Sequence, residues 1–223
     1  MYVPAHFAET DSAALHNFIE RHSFGLLVSQ VDGVPFATHL PLLLDRDSGP
    51  HGTLIGHVAR ANPQWQELAG RAALAVFGGP HAYVSPTWYE SAPGAAVKPG
   101  SAGDRPRGAT AVPTWNYVAV HATGRAELVE APDALLEIVQ RSVTVYEASM
   151  PNPWVLDASG PFVERLLAQI VGFRIRIDAL EGKWKLSQNH PAERREKVIR
   201  ALEAQGGENA TGVAALMRER LPK

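Results

Sequence analysis

Apolar residues recur at two periods along this chain, and the alternation between them predicts strands interspersed with a few helices. Ala14, Leu15, Phe18 and Ile19 fall at helical spacing, and Thr10 or Asp11 just ahead of them supplies an N-cap. An apolar run over 24–30 reads as a buried strand, Asp32-Gly33 as a hairpin turn, and 34–44 as the returning strand. Pro35 and Pro41 lie inside that return, which assigns it to an edge or a bulge, because proline donates no ladder hydrogen bond. A turn over 45–52 leads to a third strand over 53–57. Asn62 followed by Pro63 then signals a helix over 64–72, with Asn as cap acceptor and Pro at the first helical position. Strands over 73–78 and 81–84 follow.

Residues 91–110 break the pattern. They are rich in Pro, Gly, Ala and Ser without a periodic apolar signal, so they read as a flexible insert. Val118, Val120, Ala122, Gly124, Ala126 and Leu128 then alternate along a half-buried strand over 117–129. Ala131-Pro132-Asp133 opens a helix to Glu147, and Gly160-Pro161 opens a short helix to Ile170. In a strand over 171–177, Phe173, Ile175 and Ile177 share one face while Arg174 and Arg176 share the other. A polar stretch over 184–189 precedes helices over 191–204 and 211–220.

Hairpin-linked strands with few helices argue against a doubly wound parallel sheet. No Gly-x-Gly-x-x-Gly follows a strand and no P-loop is present, so dinucleotide and P-loop readings fall away. The expected fold is mainly β, an antiparallel barrel or sandwich with helices over its open edges. Its domain spans 1–190, with a helical C-terminal extension over 191–223.

Composition sharpens this mostly by exclusion. With 223 residues, 45% of them hydrophobic, the chain is long enough to bury a sizeable core. Zero cysteines exclude disulfides, thiolate catalysis and Cys-ligated metal centres. No apolar run approaches the roughly 20 residues that span a bilayer. The opening Met1-Tyr2-Val3-Pro4-Ala5-His6 lacks the features of a signal peptide, and a cytoplasmic location is expected. Lys and Arg number 21 against 23 Asp and Glu, so the charge balance gives no support to a DNA partner, although it leaves one open.

Several stretches offer chemistry. The positive N-terminal end of the helix expected after Asn62 favours an anion, and Arg60 adds a fork of charged donors beside it. Taken alone, the stretch reads more readily as an ordinary capped helix beside a solvated arginine. His39, His57, His81 and His121 lie in or beside strands, but their spacing matches no metal-ligand signature. Trp115 and Asn116 offer an aromatic face and an amide to a planar heterocycle, or else pack a sheet face. Lys185 and Gln188, in Lys185-Leu186-Ser187-Gln188-Asn189, place an ammonium and an amide just after Trp184.

In order along the chain stand Met1-Tyr2-Val3-Pro4, Ala37-Thr38-His39-Leu40-Pro41, Gly56-His57, Asn62-Pro63-Gln64-Trp65 and Gly79-Pro80-His81-Ala82-Tyr83. Pro113-Thr114-Trp115-Asn116-Tyr117, Val120-His121, Ile170-Val171-Gly172-Phe173 and the Lys185–Asn189 stretch continue the series. As an ordered set covering nearly the whole chain, they resemble the PaiB-type family of FMN-binding negative transcriptional regulators. That resemblance implies an antiparallel Greek-key split barrel related to pyridoxamine-phosphate oxidases, a homodimer with FMN near the subunit interface.

It further implies that basic residues on adjacent strands hold the flavin phosphate, which maps onto Arg60 and the Asn62 cap. Thr38, His39 and His57 would lie along the flavin, and Trp115 and Asn116 would come from the second chain. Trp184-Lys185-Leu186-Ser187 is similar to the wider fold's Trp-x-x-x-Arg-Leu-His region, which makes Lys185 the basic contact with Gln188 nearby. The 91–110 insert is longer than the family's usual spacer. Two alternatives stay open beside the regulator: a flavin-dependent oxidoreductase of unknown substrate, and a haem-binding split barrel.

Overall fold

The computed structural model describes residues 1–90, 112–158 and 160–222. The chain forms two compact units, one of Met1–Glu9, Gly78–Ala119 and Gly182–Lys223, the other of Thr10–Phe77 and Val120–Glu181. The expected insert at 91–110 lies outside the described residues. The boundary between units passes through strands, so it differs from a division at 190/191.

In chain order the strands are β1 (Ala8–Glu9), β2 (Phe24–Val31), β3 (Val34–Pro41), β4 (Leu43–Asp45), β5 (Thr53–Ala59), β6 (Ala72–Val84), β7 (Thr114–Val129) and β8 (Ile170–Lys185). The α-helices are α1 (Ser12–Arg21), α2 (Thr87–Glu90), α3 (Pro132–Glu147), α4 (Pro161–Leu167), α5 (Ala192–Gln205) and α6 (Glu208–Glu219).

The strands follow the sheet order β3-β2-β6-β7-β8-β5-β4, of which the second unit holds β2 to β5 whole and parts of β6, β7 and β8. The hairpin β2–β3 closes on Asp32 and Gly33, both with positive φ, at 52° and 74°. Glycine takes that conformation freely and Asp tolerates it better than most residues. Pro41 ends β3, so the expected 34–44 strand is two strands, with the Leu42 N–H donating to the Ser23 carbonyl between them. β5 pairs antiparallel with both β4 and β8, and Leu54, Val58, Val171, Phe173 and Ile175 form part of the buried interior there. Asp11 caps α1 by accepting from the Ala13 N–H, as the sequence implies.

The expected helix over 64–72 is instead a five-residue 3-10 helix, Pro63–Glu67. Tertiary pairing takes the remainder: Ala69 bridges Ala126, and the Gly70 N–H donates to the Ala126 carbonyl. Gly70, at φ 67°, supplies the turn that makes this pairing reachable.

In the first unit, β1 pairs with the end of β8, Ala8 opposite Lys183 and Glu9 opposite Gly182. This pairing holds Gly182 and Lys183 in a 16-residue strand where the sequence pattern suggested only 171–177. Helices α5 and α6 turn at Gly206 and Gly207, both with positive φ, and bury Val198, Ile199, Leu202, Val213 and Met217. Gly212 on α6 lies against Pro80, where an added Cβ would come within 2.9 Å of the proline ring. The C-terminal helices therefore share a compact unit with the ends of β6, β7 and β8.

Candidate functional site

The sequence-derived candidates fall into two groups, one per unit. In the second unit, the group is organised by a side chain that sequence reasoning placed in a motif without assigning it a role. Gln64 is 0% exposed. Its Nε2 donates towards the Leu27 carbonyl (3.2 Å), Ser29 Oγ (2.9 Å) and the Phe36 carbonyl (3.3 Å). Its Oε1 accepts from Thr38 Oγ1 at 2.6 Å. Asn62 completes the cluster, donating to Thr38 Oγ1 at 2.9 Å and capping the Gln64 N–H at 2.9 Å. Buried polar groups demand such complete pairing, and here it ties the segment after β5 to β2 and β3. Thr38 and Asn62 are thus brought together.

His39 follows Thr38 but is exposed, its ring stacked on Phe24 at 6.4 Å between centroids. His57 on β5 is half-buried, and burial holds its imidazole below the ordinary histidine range. Arg60 makes internal contacts: Nε donates to the Ala168 carbonyl (3.0 Å) and an Nη to the Ile170 carbonyl (3.1 Å), while another Nη pairs with Glu130 (3.1 Å). The guanidinium also lies 5.6 Å from the Trp65 ring centroid. Each guanidinium nitrogen therefore serves the chain itself, and the 3-10 helix beyond has its Gln64 N–H already capped.

The first unit holds the other group, around an open hollow of about 480 Å³. Lys185, at the end of β8, donates to Thr114 Oγ1 and to the Trp115 carbonyl. These bonds use two of its three N–H donors. Burial, and then the neighbouring Lys183 ammonium, hold Lys185 below the usual lysine range. Beside it, Asn116 is 0% exposed and its amide exchanges hydrogen bonds with Ser187 Oγ, at 3.0 and 3.2 Å. Ser187 also meets the Tyr89 hydroxyl at 3.3 Å and has a φ of 63°, rare for a non-glycine residue.

Asn116 and Gln188 thus position other groups. Asn116 fixes Ser187, while Gln188 accepts from the Leu186 N–H and donates to the Trp184 carbonyl within its own turn. Trp115 is 54% exposed and forms an aromatic group with Tyr83 and His81, at 6.0 and 6.2 Å between centroids. The His190 ring lies tilted against Tyr89, 4.6 Å between centroids, and its imidazole is held below the ordinary histidine range by burial, then by Arg194 and Lys185. Among the described residues no group of three or more His, Asp or Glu is placed to hold a metal ion.

Residues 1–179 match the family described as "Putative FMN-binding domain". The chain is also 36% identical, over 100% of its own length and 99% of the relative's, to the protease synthase and sporulation protein PAI 2 of Bacillus subtilis (strain 168). The chain belongs to the PaiB-type FMN-binding family.

Solved structures extend the likeness at the level of fold. The flavocytochrome Anf3 from Azotobacter vinelandii superposes with a TM-score of 0.57 at 15% identity, covering 82% of this chain and 72% of that one. The FAD and heme binding protein from Mycobacterium smegmatis does so with a TM-score of 0.56 at 17% identity, covering 90% and 80%. The fold is accordingly the antiparallel split-barrel type with flanking and C-terminal helices. Within this PaiB-type chain, Gln64, Ser187, Tyr89 and Thr114 are the polar residues that the candidate set lacked. Gln64 and Ser187 were visible as motif members, but nothing in their spacing showed that they would be buried.

Proposed function

We propose that this PaiB-type protein binds FMN as a homodimer and acts in negative transcriptional regulation without contacting DNA itself. The observation behind the flavin reading is Lys185, an ammonium with one donor to spare, in a hollow of about 480 Å³ beside Thr114, Ser187 and His190. A cofactor hollow of this size, with apolar walls and a few convergent polar groups, suits a flavin-sized ligand. The donor set fits as well, because the electron-rich pyrimidine edge of a flavin accepts hydrogen bonds and prefers a nearby cation. Bound FMN would supply a redox-active isoalloxazine. The chain's part is to orient it, with Lys185 donating to its polar edge and Trp115 offering a stacking face.

In the proposed dimer, one protomer contributes Trp115 and Lys185 and the other contributes His39 and the Thr38–Asn62 cluster. Exposed apolar side chains support a second copy: Phe24 is 69% exposed and Val34 63% on the β2–β3 hairpin. Direct DNA contact gains no support from the basic C-terminal helices, because their charges pair internally. Lys197 meets Glu193 at 3.0 Å, Arg200 meets Glu196 at 3.8 Å and Arg218 meets Glu203 at 2.8 Å. The regulatory part rests on family membership. An expression profile with and without the protein tests it; an unchanged profile beside rapid flavin reduction by a nicotinamide cofactor would favour the oxidoreductase instead.

A further inference from the structure

On the second unit, β7 and β8 present charged side chains between buried ones. Arg125 and Glu127 flank buried Ala126, while Arg174, Arg176 and Asp178 alternate with buried Ile175 and Ile177. These five side chains, with Ser48 and Thr53, line a hollow of about 520 Å³. It shares no lining residue with the clusters described above. β5 sets the placement, since Thr53 pairs with Arg176 and Ile55 with Arg174. Gly124 lets β7 lie directly against the β8 backbone, where an added Cβ would be 2.0 Å from the Arg176 carbonyl oxygen. Gly49, at φ 87°, leaves room beneath the Arg176 stem, whose Cγ would lie 3.4 Å from an added Cβ.

Opposite charges on adjacent strands usually pair. These do not. Among the described residues, Arg125 donates to the Gly70 carbonyl at 3.1 Å, Arg174 reaches only Glu137 on α3 at 3.9 Å, and Arg176 has no hydrogen-bond or ion-pair partner. Three guanidinium groups thus face one hollow with most of their donors unused. Thr53 Oγ1 donates its one proton to the Ser48 carbonyl at 2.8 Å and lies 3.1 Å from Ser48 Oγ, whose hydroxyl is free to rotate towards a ligand in the hollow.

We infer that this hollow binds the phosphate end of a hydroxyl-bearing phosphomonoester, such as a sugar phosphate. Planar guanidinium forks match phosphate oxygens in pairs, and the Ser48 hydroxyl adds a neutral donor. Glu127 and Asp178 accept hydroxyl protons from the polyol. Their charge also repels a second phosphate, which limits the ligand to one.

The test is calorimetric titration of the full chain with ribose 5-phosphate, inorganic phosphate and ribose, with and without saturating FMN. Ribose 5-phosphate should bind at least tenfold more tightly than inorganic phosphate, and ribose should not bind. The double variant Arg174→Met/Arg176→Met should lose at least tenfold, and Ser48→Ala about threefold, with unchanged circular dichroism. Binding should persist in saturating FMN, since the flavin reading uses the other hollow; binding abolished by FMN would assign this hollow to the flavin's own phosphate and overturn the inference. Failure of wild type to bind ribose 5-phosphate, equal affinity for inorganic phosphate, or undiminished binding by the double variant overturns the inference. A double variant that turns from dimer to monomer, beside a wild type without phosphate binding, assigns the face to contact between copies and also overturns it. The flavin reading fails separately, through absent FMN uptake in the visible spectrum.

Discussion

Replacing Gln64 with leucine, of similar volume, tests whether the buried amide organises the β2–β3 side of the second unit. The substitution removes one acceptor from Thr38 Oγ1 and the donor shared by the Leu27 carbonyl, Ser29 Oγ and the Phe36 carbonyl. Thr38 keeps the Asn62 Nδ2 donor, so its oxygen is not orphaned. Ser29 and Thr38 hydroxyls can rotate to other partners, but the Leu27 carbonyl loses its side-chain donor in the interior. A buried polar group deprived of its partner costs about 1–3 kcal/mol. One full loss plus partial losses at the hydroxyls gives about 2–4 kcal/mol, less whatever the added apolar burial returns. Urea unfolding followed by far-UV circular dichroism reads this as a lower midpoint at constant slope. A cycle with Ser29→Ala should show about 1 kcal/mol of coupling, since the two side chains share a 2.9 Å hydrogen bond. Loss below about 0.5 kcal/mol for Gln64→Leu, in the range of an ordinary surface substitution, would refute the reasoning.

Three further outcomes are expected. Arg60→Ala should lower stability by about 1–2 kcal/mol, because the Ala168 and Ile170 carbonyls lose their donors; an unchanged unfolding midpoint would contradict this. Gly124→Ala should cost more than about 3 kcal/mol or abolish soluble expression, since its Cβ cannot lie 2.0 Å from a backbone oxygen without moving a strand; a normal melting curve would count against the strand approach described. Stability should also fall as pH drops below the ordinary histidine value of 6.5, because burial depresses His57 and His190 in the folded chain. The unfolded state then binds more protons than the folded one, so stability rises with pH across that window. His57→Gln should flatten the slope there by up to one proton, and an unaltered slope would show that His57 does not contribute.

The pattern of apolar positions was enough to place most strands and the caps of α1 and the 3-10 helix. It failed where a distant partner decided the outcome. Asn62-Pro63 marked a helical start correctly, yet the segment stops after five residues because Ala69 and Gly70 pair with Ala126. The expected strand stops at 177, yet β8 runs on to Lys185, with Gly182 and Lys183 paired to β1, more than 170 positions away. The same limit applied to the site. Lys185 and Trp115 stand out in sequence by residue type, and the structure places Lys185 in a hollow and leaves Trp115 54% exposed. Asn116 and Gln188 read as ligand groups from sequence, whereas their amides are spent holding Ser187 and the turn after Trp184. Whether an amide faces outward or inward depends on tertiary packing, which neither period nor spacing encodes.

The most direct test of the flavin reading is a titration of purified protein with FMN, followed by visible absorbance and flavin fluorescence, for wild type and Lys185→Met, with gel-filtration mass alongside. Lys185 donates to Thr114 and Trp115, so circular dichroism must first show the variant folded. Saturable FMN uptake by a dimer, weakened in Lys185→Met by about 1–3 kcal/mol, about 5- to 150-fold in Kd, is the predicted result. Absence of uptake by folded wild-type protein, or identical affinity in the variant, would contradict it.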